Sequence, residues 1–427
     1  MITRQQAVRY AAVLLALLAS GRAQGQGGGS YTEIQGTGQS LYRIAVPPVL
    51  DDGGAAPQAQ VATQVMTRDL KLYGLFKVLD PKGFLADLAK EGTGIDASAW
   101  ANAGAQAVIK ARASARGIEF FLYEVGKGAR PVLQRHYLGD GKQARRMAHQ
   151  FGDEVVRHLT GERGIFTTKL AFAAGNRRAG VSHIYVMDYD GYGVTRVSRT
   201  GQQNVSPSLG PGGLLAYTSF LWKNPDLFVM PLGGRANRIS RQPGLNTAAA
   251  WAPGGGRLAV TLSKDGNSEI YVISATGQVL KRLTHNAAID TSPTWSPDGS
   301  QLAFVSNRGG SPQIYVMSAS GGGARRLTFR GSYNQEPDWC PRADTPVVAF
   351  TGRDERGHYD IFTVNVQSGE VKRLTQGQGS NQGPTWAPNG RLIAFSSSRG
   401  GVWVATPDGL NQQQVYRGQA ETLSWGK

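Results

Sequence analysis

The chain has 427 residues, a formal net charge of +16 and a pI near 10.0, with 57 glycines, 18% charged residues and one cysteine. This length suits two or more domains with sizeable cores, and modest charge with abundant glycine favours a turn-rich β protein over a disordered one. The single thiol, Cys340, excludes an internal disulfide framework and a four-cysteine zinc site.

Arg4 and Arg9 precede the apolar run Ala11 to Ala19, and the small residues of Ser20-Gly21-Arg22-Ala23 follow. That layout predicts a secretory signal peptide over residues 1–23, cleaved near Ala23, with an apolar stretch too short for a bilayer anchor. No later segment is apolar for the length of a membrane span, so export without membrane insertion is expected. Residues 24–40 are glycine-rich and polar, which predicts a flexible N-terminal arm.

An α/β domain is expected over residues 41–161. Leu41 to Val46 reads as a strand stopped by Pro47-Pro48. Gln58 to Tyr73 puts Val61, Val65, Met66, Leu70 and Tyr73 on one helical face, and Gly74 ends that helix. Leu75 to Leu79 resumes a strand, and Trp100 lies in a short helical stretch. Three strands (105–113, 118–125 and 131–138) precede a last helix over 142–159, with Thr160-Gly161 closing the domain. The domain lacks glycine-rich loops for dinucleotides or nucleoside triphosphates. His136, His149 and His158 are scattered, as surface or core histidines are.

From residue 162 onward the chain repeats. Leu170-Ala171-Phe172 recurs as Leu215-Ala216-Tyr217, Leu258-Ala259-Val260, Leu302-Ala303-Phe304, Val348-Ala349-Phe350 and Ile393-Ala394-Phe395, with the alanines 45, 43, 44, 46 and 45 residues apart. Each landmark is followed by a second strand such as Ile270-Tyr271-Val272 and a basic third such as Lys281-Arg282-Leu283-Thr284. Four short strands at this period are the signature of a propeller blade, so residues 162–427 are expected to form a six-bladed β-propeller. Turns such as Ser296-Pro297-Asp298-Gly299 separate the first two strands of a blade. Trp251, Trp295, Trp339 and Trp386 precede that turn in four blades, and Leu209 stands in for tryptophan in the second. The first blade lacks such a residue upstream, whereas Trp425 lies at the far end of the repeat. The simplest ring is therefore closed by the C-terminal strand around Thr422 to Trp425.

The net charge recurs at Arg238, Lys281-Arg282, Arg325-Arg326 and Lys372-Arg373, once per repeat, which suits solvated strand ends better than a nucleic-acid track. A search for chemistry finds no nucleophile elbow and no His-Glu-x-x-His helix, so no catalytic residue, metal ligand or cofactor is expected. Asp298 and Asn389 read as turn residues bonding their own backbone, and the polar segment Arg353 to Asp360 reads as a solvated loop. The loops entering each tryptophan strand should converge at one end of the channel. They hold Gly244 to Thr247, Ala288 to Thr291, Tyr333 to Glu336 and Ser380 to Gly383, rich in amides, acids and hydroxyls suited to a polar partner loop or a cation. Ordinary solvated loops fit the same residues.

A signal peptide, an α/β domain containing Asp69-Leu70-Lys71-Leu72-Tyr73-Gly74-Leu75-Phe76, and six blades of the Trp-Ser-Pro-Asp-Gly type together resemble the TolB family over residues 41–427. The resemblance implies a periplasmic, non-enzymatic adaptor of the Tol-Pal envelope complex, supporting outer-membrane integrity and cell division. It implies binding of a peptidoglycan-associated lipoprotein at the channel end, through the loops holding Asn246, Asp290, Thr291, Asn334, Gln335, Asn381 and Gln382. It also implies that the N-terminal arm meets a TolA-like inner-membrane protein, with no nucleic-acid partner. Leu245 stands where the family commonly has histidine. A different class of function, an exported propeller that binds or hydrolyses a small ligand or glycan, fits the blade pattern alone.

Overall fold

The computed structural model describes residues 41–176 and 179–426, so the signal peptide and arm expected over 1–23 and 24–40 lie outside the described residues. The described chain divides into two compact units that meet in sequence between Thr167 and Thr168.

In the first unit the strands are β1 (Tyr42–Ala45), β2 (Leu50–Asp51), β3 (Phe76–Val78), β4 (Ala107–Ser114), β5 (Gly117–Glu124) and β6 (Leu133–Leu138). They form one sheet in the order β3-β1-β4-β5-β6, parallel where β1 meets β3 and β4 and antiparallel from β4 to β6; β2 pairs with β4 off this path. The long helices α1 (Ala56–Tyr73) and α4 (Ala144–Thr160) bury Met66, Leu70, Met147 and Phe151. Phe151 stacks on Phe120 of β5 with ring centroids 4.9 Å apart. Gly74 caps α1 at φ 79°, the left-handed conformation that glycine adopts without steric cost. His149 of α4 and Asp69 of α1, both buried, lie 2.7 Å apart and tie the two helices together.

A second core forms around Trp100, with Ile95, Val108, Phe121 and Tyr123, beside the short helices α2 (Leu88–Glu91) and α3 (Ala97–Asn102). The Trp100 indole donates to Glu91 Oε1 at 3.1 Å, and Lys110 Nζ meets Glu91 Oε2 at 2.7 Å. A charge pair this buried is tolerable only because its remaining hydrogen-bonding positions are filled. This unit runs past Gly161, where the sequence suggested it would close. The backbone N–H of Phe166 donates to Asp153 at 2.6 Å, and the Phe166 ring packs edge-on to Tyr73.

Among the described residues, 168–426 form six four-stranded antiparallel sheets, five of them ordered inner to outer along the chain. A representative blade runs Asp290–Trp295, Gln301–Ser306, Gln313–Ser318 and Arg325–Arg326. The first blade takes its inner strand from Glu421–Gly426, which pairs with Lys169–Asn176. Trp425 faces Leu170 as Trp295 faces Leu302 and Trp386 faces Ile393. The sheet with the vacant inner position is thus completed by the other end of the repeat, as the missing tryptophan implied. Leu209 occupies the corresponding register opposite Leu215.

Propeller blades bury their faces against one another, and the clusters here are interblade. Trp295 packs with Ala259, Ile270, Val272 and Leu283 of the preceding blade, and Trp339 with Ala303, Ile314 and Val316 of the blade before it. The Ser-Pro-Asp-Gly turn satisfies itself. Asp298 accepts from the Ser296 hydroxyl at 2.5 Å and from Ser300, and these bonds hold its carboxyl at about 2. Among the described residues no helix is long and apolar enough to cross a membrane.

Candidate functional site: the loop end of the propeller

Alternating strand direction puts two sets of loops at the same end of the ring: the links into each inner strand and the hairpins between second and third strands. In register terms, Asn246 begins an inner strand opposite Leu262, which ends the second strand and faces Glu269 at the start of the third. The residues singled out in the sequence sit at this end, at equivalent places in successive blades.

Their side chains divide sharply. Asn246, Asp290, Asn334 and Asn381 are fully buried and hold the loops from within. The Asn246 carbonyl accepts from Ser240 Oγ at 2.6 Å and from the Gln242 N–H, and its amide donates back to the Gln242 carbonyl at 2.7 Å. Asp290 Oδ2 accepts from Asn286 and from Arg308, both at 2.7 Å. Asn334 donates to Gln313 Oε1 at 2.8 Å and to the Arg330 carbonyl at 2.9 Å. Asn381 makes one long bond, 3.4 Å, to the Gly379 carbonyl, and its Oδ1 is buried without a hydrogen-bond partner. These four side chains thus point into their own loops. Short Asx groups at a loop-to-strand junction bond their own backbone, so they shape the loops and leave the exposed surface to their neighbours. Thr291, Gln335 and Gln382, one residue further along, are only partly buried.

The sequence reading passed over Asn204, the equivalent residue of the second blade. It is buried and its amide reaches Ser182, Thr200 and Gln202. Leu209 in place of tryptophan hid that blade's register; counting back from Leu209 as from a tryptophan would have found it.

Just inside this ring, every inner strand carries one residue in the left-handed region: Ser206, Ala248, Ser292, Glu336, Gly383 and Thr422, with φ between 47° and 61°. Each lies where the inner strand slips register against the second strand. Non-glycine residues occupy this region at a cost, and here the turned-out N–H has a use. The Gly383 N–H donates to Thr351 Oγ1 and to Glu336 Oε2 of the preceding blade, each at 2.9 Å, and the Ser292 N–H reaches Thr261 Oγ1 at 3.3 Å.

Deeper, a second set of bonds runs from blade to blade. At four of the six junctions the side chain of the residue before an inner-strand landmark accepts the landmark's N–H in the next blade: Thr294 from Trp339, Asp338 from Trp386, Thr385 from Trp425 and Ser424 from Leu209. Asp338 is the one carboxylate in that series. Enclosed under Trp386 and beside Thr294, its carboxyl is pushed up to about 6 by burial. Cys340, two residues on, is buried and its thiol is pushed up to about 11 by the same cause.

The recurrent basic residues are not simply solvated strand ends. In four blades one arginine folds back to lock the outer strand, its Nε donating to the carbonyl two residues on: Arg196 to Ser198, Arg282 to Thr284, Arg326 to Thr328 and Arg373 to Thr375. The Arg282 and Arg373 guanidinium groups also pair with a buried carboxylate of the third strand, Glu269 and Asp360, as Arg238 does with Asp226. In the fourth blade the neutral Gln313 replaces that carboxylate.

Comparisons with known proteins agree with this architecture. A family model described as the TolB amino-terminal domain matches residues 30–130, and one described as the TolB beta propeller domain matches residues 156–427. The Tol-Pal system protein TolB of Desulfosudis oleivorans is 35% identical over 251 residues, covering 56% of this chain and 57% of that protein. Its counterpart in Anaeromyxobacter dehalogenans is 42% identical over 248 residues, covering 56% of each. The chain thus matches just over half the length of these relatives. The crystal structure of TolB from Acinetobacter baumannii superposes with a TM-score of 0.76 at 28% identity, over 91% of this chain and 97% of that one. With the propeller model alone spanning more than half of its length and a TolB amino-terminal domain ahead of it, the chain belongs to the TolB family.

Proposed function

We propose that the protein is a periplasmic, non-enzymatic adaptor of a Tol-Pal-type envelope complex, exported by the signal peptide over residues 1–23. In this reading the loop end of the propeller binds a peptidoglycan-associated lipoprotein, the arm over 24–40 meets a TolA-like inner-membrane protein, and the complex supports outer-membrane integrity and cell division.

The observation that carries the reading is the way the loop end is built. A surface that must recognise a folded partner gains from being ordered beforehand, because less entropy is lost on docking. Asn246, Asp290 and Asn334 are internal struts that fix their loops in place. Thr291, Gln335 and Gln382 are then the polar positions of the proposed contact.

The test is retention of the lipoprotein's periplasmic domain by the full chain. Intact protein should retain it; Gln335→Trp and Gln382→Trp, checked for an unchanged melting curve, should weaken retention without affecting the arm's partner. Failure of the intact protein to retain the lipoprotein, with retention of a glycan instead, would overturn the adaptor reading in favour of a ligand-binding propeller.

A further inference from the structure

We infer that the partner surface received by the loop end is an acidic rim on a compact protein domain, and that docking is steered by charge; this rests on the adaptor reading above. The two ends of the propeller differ in electrostatic character. At the loop end, Arg199, Lys223, Arg241, Arg356, Arg399 and Arg417 are exposed, and among the described residues none has a carboxylate within ion-pair distance. The loops or hairpins of the fifth, sixth, first and second blades supply them, so they form an arc over four consecutive blades at the channel mouth. Of the carboxylates nearby, Asp265 lies 2.8 Å from Lys264 and Asp290 meets Arg308, while Glu355, beside Arg356, is exposed. At the opposite end Arg235, Arg257, Lys281 and Arg325 are exposed as well, but the turns intersperse Asp298, Asp344, Glu370 and Asp408 among them, and Arg342 pairs with Asp344 at 2.8 Å.

Uncompensated guanidinium groups around a mouth raise the local concentration of an acidic partner and orient its approach. The same end exposes aromatic anchors. Trp222 is 53% exposed, with Arg238 4.2 Å above its ring, and Phe329 is 72% exposed. Arginine with tryptophan and phenylalanine is the composition of a protein interface.

The probe is the lipoprotein's periplasmic domain, with association and dissociation rates measured on the full chain at about 50 mM and about 500 mM salt, where screening differs strongly. The expected result is an association rate that falls roughly tenfold or more with salt. The triple variant Arg199→Glu, Arg241→Glu, Arg417→Glu should lose most of that rate at low salt with dissociation nearly unchanged. Reversing Arg235, Arg257 and Arg325 at the opposite end should leave association as it was. Binding that is indifferent to salt and to the rim variant would overturn this inference while leaving the adaptor reading in place. Absence of binding at either salt would overturn the adaptor reading and this inference with it. Rim-dependent binding of soluble peptidoglycan fragments, without binding of the protein domain, would assign the rim to a polymer and overturn the protein partner proposed here.

Discussion

The indole N–H of Trp425 donates to Thr168 Oγ1 at 2.8 Å, joining residues 257 positions apart in sequence. Thr168 opens the propeller unit and Trp425 lies in the strand that completes its first sheet, so this bond sits at the seam of the ring. Around it, Trp425 N–H reaches Thr385, Ser424 reaches the N–H of Leu209, and the Tyr189 ring stacks beside the indole at 6.5 Å. One tryptophan therefore contacts the blades on both sides of the closure.

Truncating this residue tests the seam. Trp425→Ala removes a buried side chain and should cost about 3–5 kcal/mol of propeller stability. Thr168→Val, which removes only the hydroxyl partner, should cost about 1–3 kcal/mol because the indole N–H is left buried and unpaired. Removing residues 421–427 should lower the melting temperature further still, since it leaves Lys169–Asn176 as an open edge. A melting curve unchanged by that truncation would defeat closure by the C-terminal strand.

The buried Asx ring is expected to matter for stability in proportion to its bonds. Asn246→Ala strands several loop groups at once and should cost about 2–4 kcal/mol, whereas Asn381→Ala, which loses one long bond, should cost about 1 kcal/mol or less. Denaturant unfolding of the two variants gives the comparison. Equal costs would mean that these residues are not graded struts.

Asp338 predicts a pH dependence. Its folded carboxyl titrates near 6, well above the value of about 3.9 in an unfolded chain. Between those values the unfolded state has released its proton while the folded state keeps it, so this group's contribution to stability falls as pH rises from about 4 to about 6. The full effect is on the order of 3 kcal/mol at neutral pH. Asp338→Asn cannot ionise, so its stability relative to wild type should improve across that window. Melting of both proteins at pH 4, 5, 6 and 7 tests this; a constant difference would place the titrating group elsewhere.

The legibility of the fold in the sequence followed from repetition. Six alanine landmarks and a displaced Trp425 are enough to count blades and find the seam, because each blade repeats one solution to burying a sheet face. The first unit was readable where periodicity is long, as in α1 and α4, and less so in the short α2, whose Glu91 meets Lys110 from a distant strand. The site was legible in place but not in orientation. Sequence spacing locates Asn246 and Asp290 at the channel end, yet whether an amide faces solvent or its own loop depends on Ser240, Gln242 and Arg308 converging from other strands. The left-handed residues were invisible for a similar reason. Serine, alanine, glutamate, glycine and threonine share no chemistry that would mark Ser206, Ala248, Ser292, Glu336, Gly383 and Thr422 as one ring.

The arginine locks offer an internal comparison between blades. Arg373 is shielded to 12% side-chain exposure and pairs with Asp360, which is 1% exposed, and with Asp354 at 3.1 Å. Arg373→Met would leave Asp360 buried without its cation and should cost about 3–5 kcal/mol. In the fourth blade the equivalent Arg326 faces Gln313, whose Oε1 is already engaged by Thr328 and Asn334. Arg326→Met leaves no charge stranded and should cost about 1 kcal/mol or less, mainly the contact with Phe329 and the bond to the Thr328 carbonyl. Urea midpoints of the two variants decide the matter. If Arg326→Met proved as damaging as Arg373→Met, the arginines would act through packing of their stems against the blade edge, and the buried carboxylates would not be what makes them locks.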